Sequence, residues 1–362
     1  MKRSVAPVSA VIALLALTGC TAGINLPGLP SASSSPEPVF LSAPLTGLLY
    51  EEGTPQAQQL GKPSVACKID NGTEAARPQI GLNSTDIVFD EMVEGGLTRF
   101  VAIWHTNQPD GVGPVRSIRP MDPDILSPFG GIVCYSGGQL VFVEAMRQAP
   151  VFNASETTEM DKGTFSRASD REAPHNVIVN VQKLANDHPE LTPPPAQFSF
   201  AKDSANSSAV LSGIGVLDFT VKFPMASAKW TASQDGSRWL RTQDGKPLKD
   251  ALDGEQVSAT NIVVMQVRID RSYLGKKYAN VPKSIMVDSG KAWVFSGGNY
   301  LEASWSKASA TAPIVLTDSS GQNVQLNPGN TWVELMPMAP EGSIVINKAP
   351  VASPSPSPTA KN

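Results

Sequence analysis

The chain has 362 residues, enough for two domains of ordinary size, and its 41% hydrophobic and 17% charged content is that of a globular protein. Its formal net charge of −4 supplies no basic stripe, which argues against nucleic acid as a partner. Three histidines (His105, His175, His188) and no CxxC pair give no metal-site spacing, and no GxSxG elbow, P-loop or dinucleotide fingerprint is present, so neither a metal nor a cofactor is expected.

The first residues address the compartment. Lys2 and Arg3 precede an apolar run over 5–17, of signal-peptide length and too short to span a membrane comfortably. It ends in Leu17-Thr18-Gly19-Cys20, which resembles a bacterial lipobox: aliphatic, small, small, cysteine. Residues 1–19 thus read as a lipoprotein signal peptide and Cys20 as the acylated residue, palmitate being a candidate chain. The competing reading is an ordinary signal peptide that happens to precede a cysteine. Residues 20–42, with Pro27, Pro30, Pro36 and Pro38 among serines, read as an extended tether. The expected location is the cell membrane, lipid-anchored on the outer face of the cytoplasmic membrane.

A first domain is expected over 43–192. Residues 64–70 read as a strand leading to a turn at Asn71-Gly72. Residues 86–94 alternate, with Ile87, Phe89 and Glu91 on one face and Val88, Asp90 and Met92 on the other. Gly95-Gly96 then turns the chain into a β-rich run over 97–105, which predicts a hairpin with Arg99 facing Glu91 or Met92. Cys67 and Cys134 lie in apolar runs. They are either a disulfide or two buried thiols, and the apolar context favours thiols.

Residues 110–124, DGVGPVRSIRPMDPD, are the most distinctive stretch. Pro114 and Pro120 bracket Arg116 and Arg119 and forbid a regular helix through them. Two guanidiniums on a stiffened loop suit bidentate recognition of a carboxylate or phosphate. The alternative is pairing with the chain's own acids, such as Glu91 or Asp122. A strand over 131–135, a glycine pair at Gly137-Gly138 and a helix over 139–149 follow. Residues 164–180 add Arg167, Arg171, His175 and Asn176. His175 is a candidate general acid or base, or a strand-start histidine bonded to a backbone carbonyl. Asn180 reads as the N-cap of a short helix over 181–187.

Pro193-Pro194-Pro195 opens a linker over 193–210. Residues 211–347 then show short β runs separated by Gly-centred turns, among them Asp235-Gly236, Asp244-Gly245 and Gly297-Gly298, which predicts a smaller, mostly antiparallel β domain. Two separable folding units are expected from this division. Trp293, Trp305 and Trp332 are core residues or a sugar-stacking surface, the former being the commoner use. Residues 348–362, with a PSPSP run, read as a disordered tail.

The runs EMVEGGLTRFVAIWH, GPVRSIRPMDPDI and REAPHN, followed by WLRTQDGKPLKDALDGEQVSATNIVV, GKAWVFSGGNYLEASWSK and LNPGNTWVELMP, resemble the YerB-like bacterial lipoproteins. The similarity extends over 45–337. It implies a layered α/β first domain with a mixed sheet and a smaller β-rich second domain; it implies no activity. Two functional readings follow from the residues. In the first, a non-enzymatic envelope lipoprotein uses Arg99, Arg116, Arg119, Arg171 and Asn176 to bind an anionic wall polymer, a muropeptide carboxylate or an acidic partner protein. In the second, an envelope hydrolase or transferase acts on a phosphorylated or acidic glycan, with Glu91, Asp122 and His175 as acid and base candidates.

Overall fold

The computed structural model describes residues 37–350; the signal segment, Cys20 and most of the tail lie outside the described residues. The first half supplies β1 (Val65–Asp70), β2 (Ile87–Met92), β3 (Thr98–Trp104), β4 (Ile132–Tyr135), β5 (Phe152–Ser155), β6 (Phe165–Arg167) and β7 (Val177–Val179). Its short helices include α1 (Asp122–Leu126), α2 (Leu140–Arg147) and α3 (Val181–Asn186). The second half supplies β8 (Ile214–Lys222), β9 (Ser227–Ala232), β10 (Trp239–Gln243), β11 (Asn261–Val267), β12 (Ser289–Ser296), β13 (Asn299–Ser306), β14 (Thr331–Pro337) and β15 (Ser343–Lys348).

Most of these strands join one mixed sheet in the order β10-β9-β8-β13-β12-β11-β14-β2-β3-β1-β4-β5. In the first half β1, β4 and β5 run parallel, while β3 lies antiparallel between β1 and β2. The second half is mostly antiparallel, through β8–β9–β10 and β11–β12–β13. The seam between the halves is parallel. β2 pairs with β14 from Ile87 opposite Thr331 to Asp90 opposite Glu334, and β11 adds to the far side of β14. The architecture is therefore the mixed α/β sheet that the family resemblance implies and the antiparallel β extension that the Gly-centred turns predict, with the two sheets fused edge to edge.

The alternation in β2 explains how the sheet is covered on both sides. Ile87 and Phe89 enter one core with Val101, Ile103, Val133, Val263 and Val333. Val88 and Met92 enter the other with Phe100, Trp104, Trp230, Trp239 and Trp332. Both cores draw on both halves. Trp305 and Trp332 are buried and Trp293 packs partly buried against the core, so the tryptophans form no stacking surface for sugars. Their alternating positions on strands bury them between layers.

Several boundaries differ from the sequence reading in instructive ways. Phe40–Ser42, at the end of the expected tether, pairs with Leu49–Glu51 in a small hairpin. The expected linker is ordered: Ser199–Phe200 pairs with Gln325–Leu326, and Ser208–Ser212 is helical. Asn180 caps α3 as expected, its Oδ1 accepting from the Lys183 N–H at 2.7 Å. Cys67 and Cys134 form a disulfide, which corrects the expectation of free thiols. They sit opposite each other on neighbouring parallel strands with Cα atoms 4.5 Å apart, so the apolar surroundings that suggested thiols enclose the bridge instead.

Candidate functional site

The C-terminal ends of β1, β2, β4 and β5 and the start of antiparallel β3 meet at one edge of the sheet. Carboxyl ends of parallel strands are where mixed and parallel sheets place their binding crevices. Strand register puts Glu91, Arg99 and Asp70 side by side on β2, β3 and β1. Lys68 lies two residues before Asp70 on the same face. Four ionisable side chains thus continue the row that carries Ala66, Ile87, Phe89, Val101 and Ile103 deeper in the core.

The loop that carries the two arginines is laid across this edge by its backbone. The Asp70 N–H donates to Pro114 O at 2.9 Å, Arg116 N–H to Lys68 O at 2.8 Å, and Ser136 N–H to Arg116 O at 3.0 Å. On the other side the Val115 N–H donates to Val177 O of β7 at 2.8 Å. Gly113, at φ 159°, lies so close to β7 that a Cβ would come 2.7 Å from Val177 O. A side chain there would push the loop off the sheet, which accounts for glycine at this position.

Each polar side chain then finds a definite partner. Lys68 is fully buried between Glu91 Oε1 and Asp122 Oδ1, the latter at 2.9 Å. The Asp122 Oδ2 accepts the Arg119 backbone N–H at 2.5 Å. Asp70 Oδ2 lies 3.0 Å from Arg116 Nε and 2.7 Å from His175 Nδ1, while its Oδ1 accepts the Gly72 N–H at 3.1 Å. The Arg116 contact is an ion pair without hydrogen-bond alignment. Arg119 Nε donates to Glu94 Oε2 at 2.8 Å and its NH1 to Ile118 O at 2.8 Å.

Arg99 is the exception. It is 8% exposed, its NH1 donates to Ser117 O at 3.1 Å, and its buried Nε has no acceptor. Among the described residues no carboxylate forms an ion pair with it. Arg119 NH1 approaches the same Ser117 carbonyl at 3.5 Å, so two guanidiniums converge on one neutral oxygen. Burial together with the neighbouring Arg119 and Arg116 charges lowers the Arg99 pKa to about 10, despite Asp70 and Glu94 nearby. On the buried side, desolvation and then the adjacent Asp122 raise the Glu91 pKa, which favours its protonated form. Lys68, Arg99, Arg116 and Arg119 face Asp70, Glu91, Glu94 and Asp122, four cations against four carboxylates, and Lys68 lies between two of those acids.

The expected site residues therefore fall into three groups. Arg99, Arg116, Arg119 and His175 come together around Asp70 and Glu94. Glu91 and Asp122 lie behind them, fully buried on Lys68. They are not the partners of the arginines that the loop sequence suggests, because Lys68 projects between them from β1. Arg171 and Asn176 go elsewhere. Arg171 donates to the carbonyls of Ala76 and Pro78, and Asn176 Oδ1 accepts from Arg167 NH1 at 2.8 Å. His175 bonds a carboxylate, where a backbone carbonyl was the expected partner. Asp70 and Lys68 were missed by the sequence reading; the available signal was two charges spaced i, i+2 inside an otherwise apolar strand.

A second buried cation was also missed. Arg241 of β10 is fully buried, with NH2 2.6 Å from Asp90 Oδ2 and NH1 2.6 Å from Glu334 Oε1. Phe100, Trp230 and Trp332 rings surround it at 4.7–5.1 Å. Sealed from solvent, it joins the two halves through Asp90 and Glu334. Among the described residues no cluster of histidine, cysteine and acidic side chains fits a metal ion, and no helix is long and apolar enough to cross a membrane.

Fold and site define a two-part mixed-sheet protein with a cationic cluster at the carboxyl edge of its first sheet. The chain belongs to the DUF3048 family of proteins of unknown function: the family's N-terminal domain matches residues 45–193 and its C-terminal domain residues 219–333. It is 26% identical over 315 residues to the candidate lipoprotein YerB of Bacillus subtilis (strain 168), covering 84% of this chain and 88% of that protein. The crystal structure of YerB protein from Bacillus subtilis superposes with a TM-score of 0.70 at 23% identity, covering 84% of this chain and 99% of that one. That likeness establishes the fold, and the family resemblance read from the arginine loop and the C-terminal runs agrees with the family match.

Proposed function

We propose that the chain is an envelope lipoprotein, acylated at Cys20 and held on the outer face of the cytoplasmic membrane, whose arginine cluster binds an anionic group. The lipobox Leu17-Thr18-Gly19-Cys20 supports the anchor, as does the likeness to a candidate lipoprotein. The observation that carries the binding role is Arg99: a nearly buried guanidinium with no carboxylate partner, beside two further arginines that use only part of their donor sets. Structural arginines are normally paired, and an unpaired one among like charges is a site prepared for an anion. A wall polymer, a muropeptide carboxylate or an acidic partner protein would supply that group.

Two experiments test the reading. Cys20→Ser should leave a precursor that incorporates no labelled fatty acid and does not fractionate with membranes; labelling of that variant would end the lipobox assignment. Arg99→Met should lower the affinity for purified wall fractions by about 1.5–3 kcal/mol, the scale of a charge-assisted contact. Unchanged binding would remove the anion site. A hydrolase acting on a phosphorylated or acidic glycan is favoured by one observation, the Asp70-held imidazole of His175. Turnover of wall material that disappears in His175→Gln while binding persists is the outcome expected of that second reading.

A further inference from the structure

Asp70 Oδ2 is shared by Arg116 Nε and His175 Nδ1, so the guanidinium and the imidazole flank one oxygen atom. With Nδ1 bound to the carboxylate, Nε2 is the ring's free polar atom, and the side chain is 19% exposed. His175 is also a wall of an open groove of about 780 Å³. Arg77, Arg171, Asp170 and Glu172 supply its polar lining, and Pro78 and Pro174 supply flat apolar faces. His175 is thus common to the groove and, through Asp70 Oδ2, to Arg116 of the cluster.

The charges along this path differ in kind. The cluster end carries three arginines, one of which, Arg99, makes no ion pair with a carboxylate among the described residues. The groove mixes cations with Asp170 and Glu172, and Arg77 is already paired with Asp244 at 3.1 Å. A second anionic group would meet carboxylates there, whereas hydroxyl groups find both acceptors and donors. A volume of this size also lies in the range of sites that enclose a small organic ligand rather than a bare ion.

We infer that the groove beside His175 holds the hydroxyl-bearing body of a phosphorylated sugar whose phosphate sits on the Arg99, Arg116 and Arg119 cluster. This rests on the anion-binding reading above and names its ligand class. His175 is a specificity residue in this arrangement: Asp70 orients it, and Nε2 accepts a hydrogen bond from a sugar hydroxyl at the junction of the two parts.

Calorimetric titration of the full chain in detergent with inorganic phosphate, glucose 6-phosphate and glucose tests the inference. Glucose 6-phosphate should bind about tenfold more tightly than phosphate, the scale of one or two added hydrogen bonds, and glucose alone only weakly. Ala251→Trp and Ala75→Trp, at two exposed positions on the groove wall, should abolish the tenfold advantage and leave phosphate affinity unchanged. Arg99→Met should weaken both phosphate compounds together. Equal affinity of phosphate and glucose 6-phosphate, or an advantage that survives both tryptophan variants, would overturn the groove assignment while leaving the anion site standing. Failure of both phosphate compounds to bind the unaltered chain would overturn the inference, and the anion site would fall with it only if wall fractions also bind no less well to Arg99→Met.

Discussion

At the scale of single residues, two buried arginines make opposite predictions. Arg99 makes no ion pair among the described residues, although Asp70 and Glu94 lie near it with Arg116 and Arg119, so Arg99→Met removes a buried cation without stranding a paired acid. Its thermal midpoint should equal or exceed that of the unaltered chain while anion binding falls; Arg99→Lys should restore only part of the binding, since an ammonium lacks the planar fork. Arg241 is the reverse case. Arg241→Met strands Asp90 and Glu334 inside the core and should cost about 3–5 kcal/mol in denaturant unfolding, the range for breaking a buried pair. A loss under 1 kcal/mol would show that the two acids are neutral without it. Asp86 supplies a pH dependence. Desolvation raises its pKa to about 6 even though its carboxyl accepts from the His105 and Thr106 N–H groups and the Thr106 hydroxyl. The folded state thus holds this proton where the unfolded state has lost it. The contribution is full below about pH 4 and is lost as pH rises through about 6, up to about 3 kcal/mol in all. Unfolding curves of Asp86→Asn should lack that decline, and a decline equal to the unaltered chain's would assign it to other groups.

At the scale of elements, the arginine loop is held as an extra, irregular strand between β1 and β7. Its neighbour β4 is tied to β1 by the Cys67–Cys134 bridge, which closes 67 residues of sequence around the loop. Cys67→Ala with Cys134→Ala should therefore lower stability by about 2–4 kcal/mol. It should also loosen the position of Arg116 relative to Asp70. Peptide mapping without reductant should recover the two cysteines in one linked pair. Recovery of both as alkylated thiols under denaturing conditions would reject the bridge.

At the scale of the whole molecule, the β2–β14 seam and the two shared cores bear on how the halves behave. Residues 193–210 separate the halves in sequence, yet strands on either side exchange main-chain hydrogen bonds, and Asp90 reaches Arg241 across that division. Limited proteolysis between residues 190 and 212 should give two fragments that co-elute in gel filtration and unfold in one transition. Fragments that separate without denaturant would favour two independent units. Much of this was legible in the sequence. The alternation of β2, the Gly95-Gly96 turn, the Asn180 cap and the Gly-centred turns of the second half are local patterns, set by neighbours a few residues away. So was the stiffened, cationic character of residues 110–124, because proline and glycine restrict the backbone wherever they stand. The pairing of charges was not legible. Which acid meets Arg116 depends on strand register between β1 and β3 and on a loop crossing from β7, contacts 46 to 105 residues apart in the chain. Lys68 and Asp70 looked like strand charges until the sheet placed them under the loop. Local propensity thus determined the elements and the cationic loop, and only tertiary packing decided that, among the described residues, Arg99 would make no ion pair while Arg116 and Arg119 each met an acid.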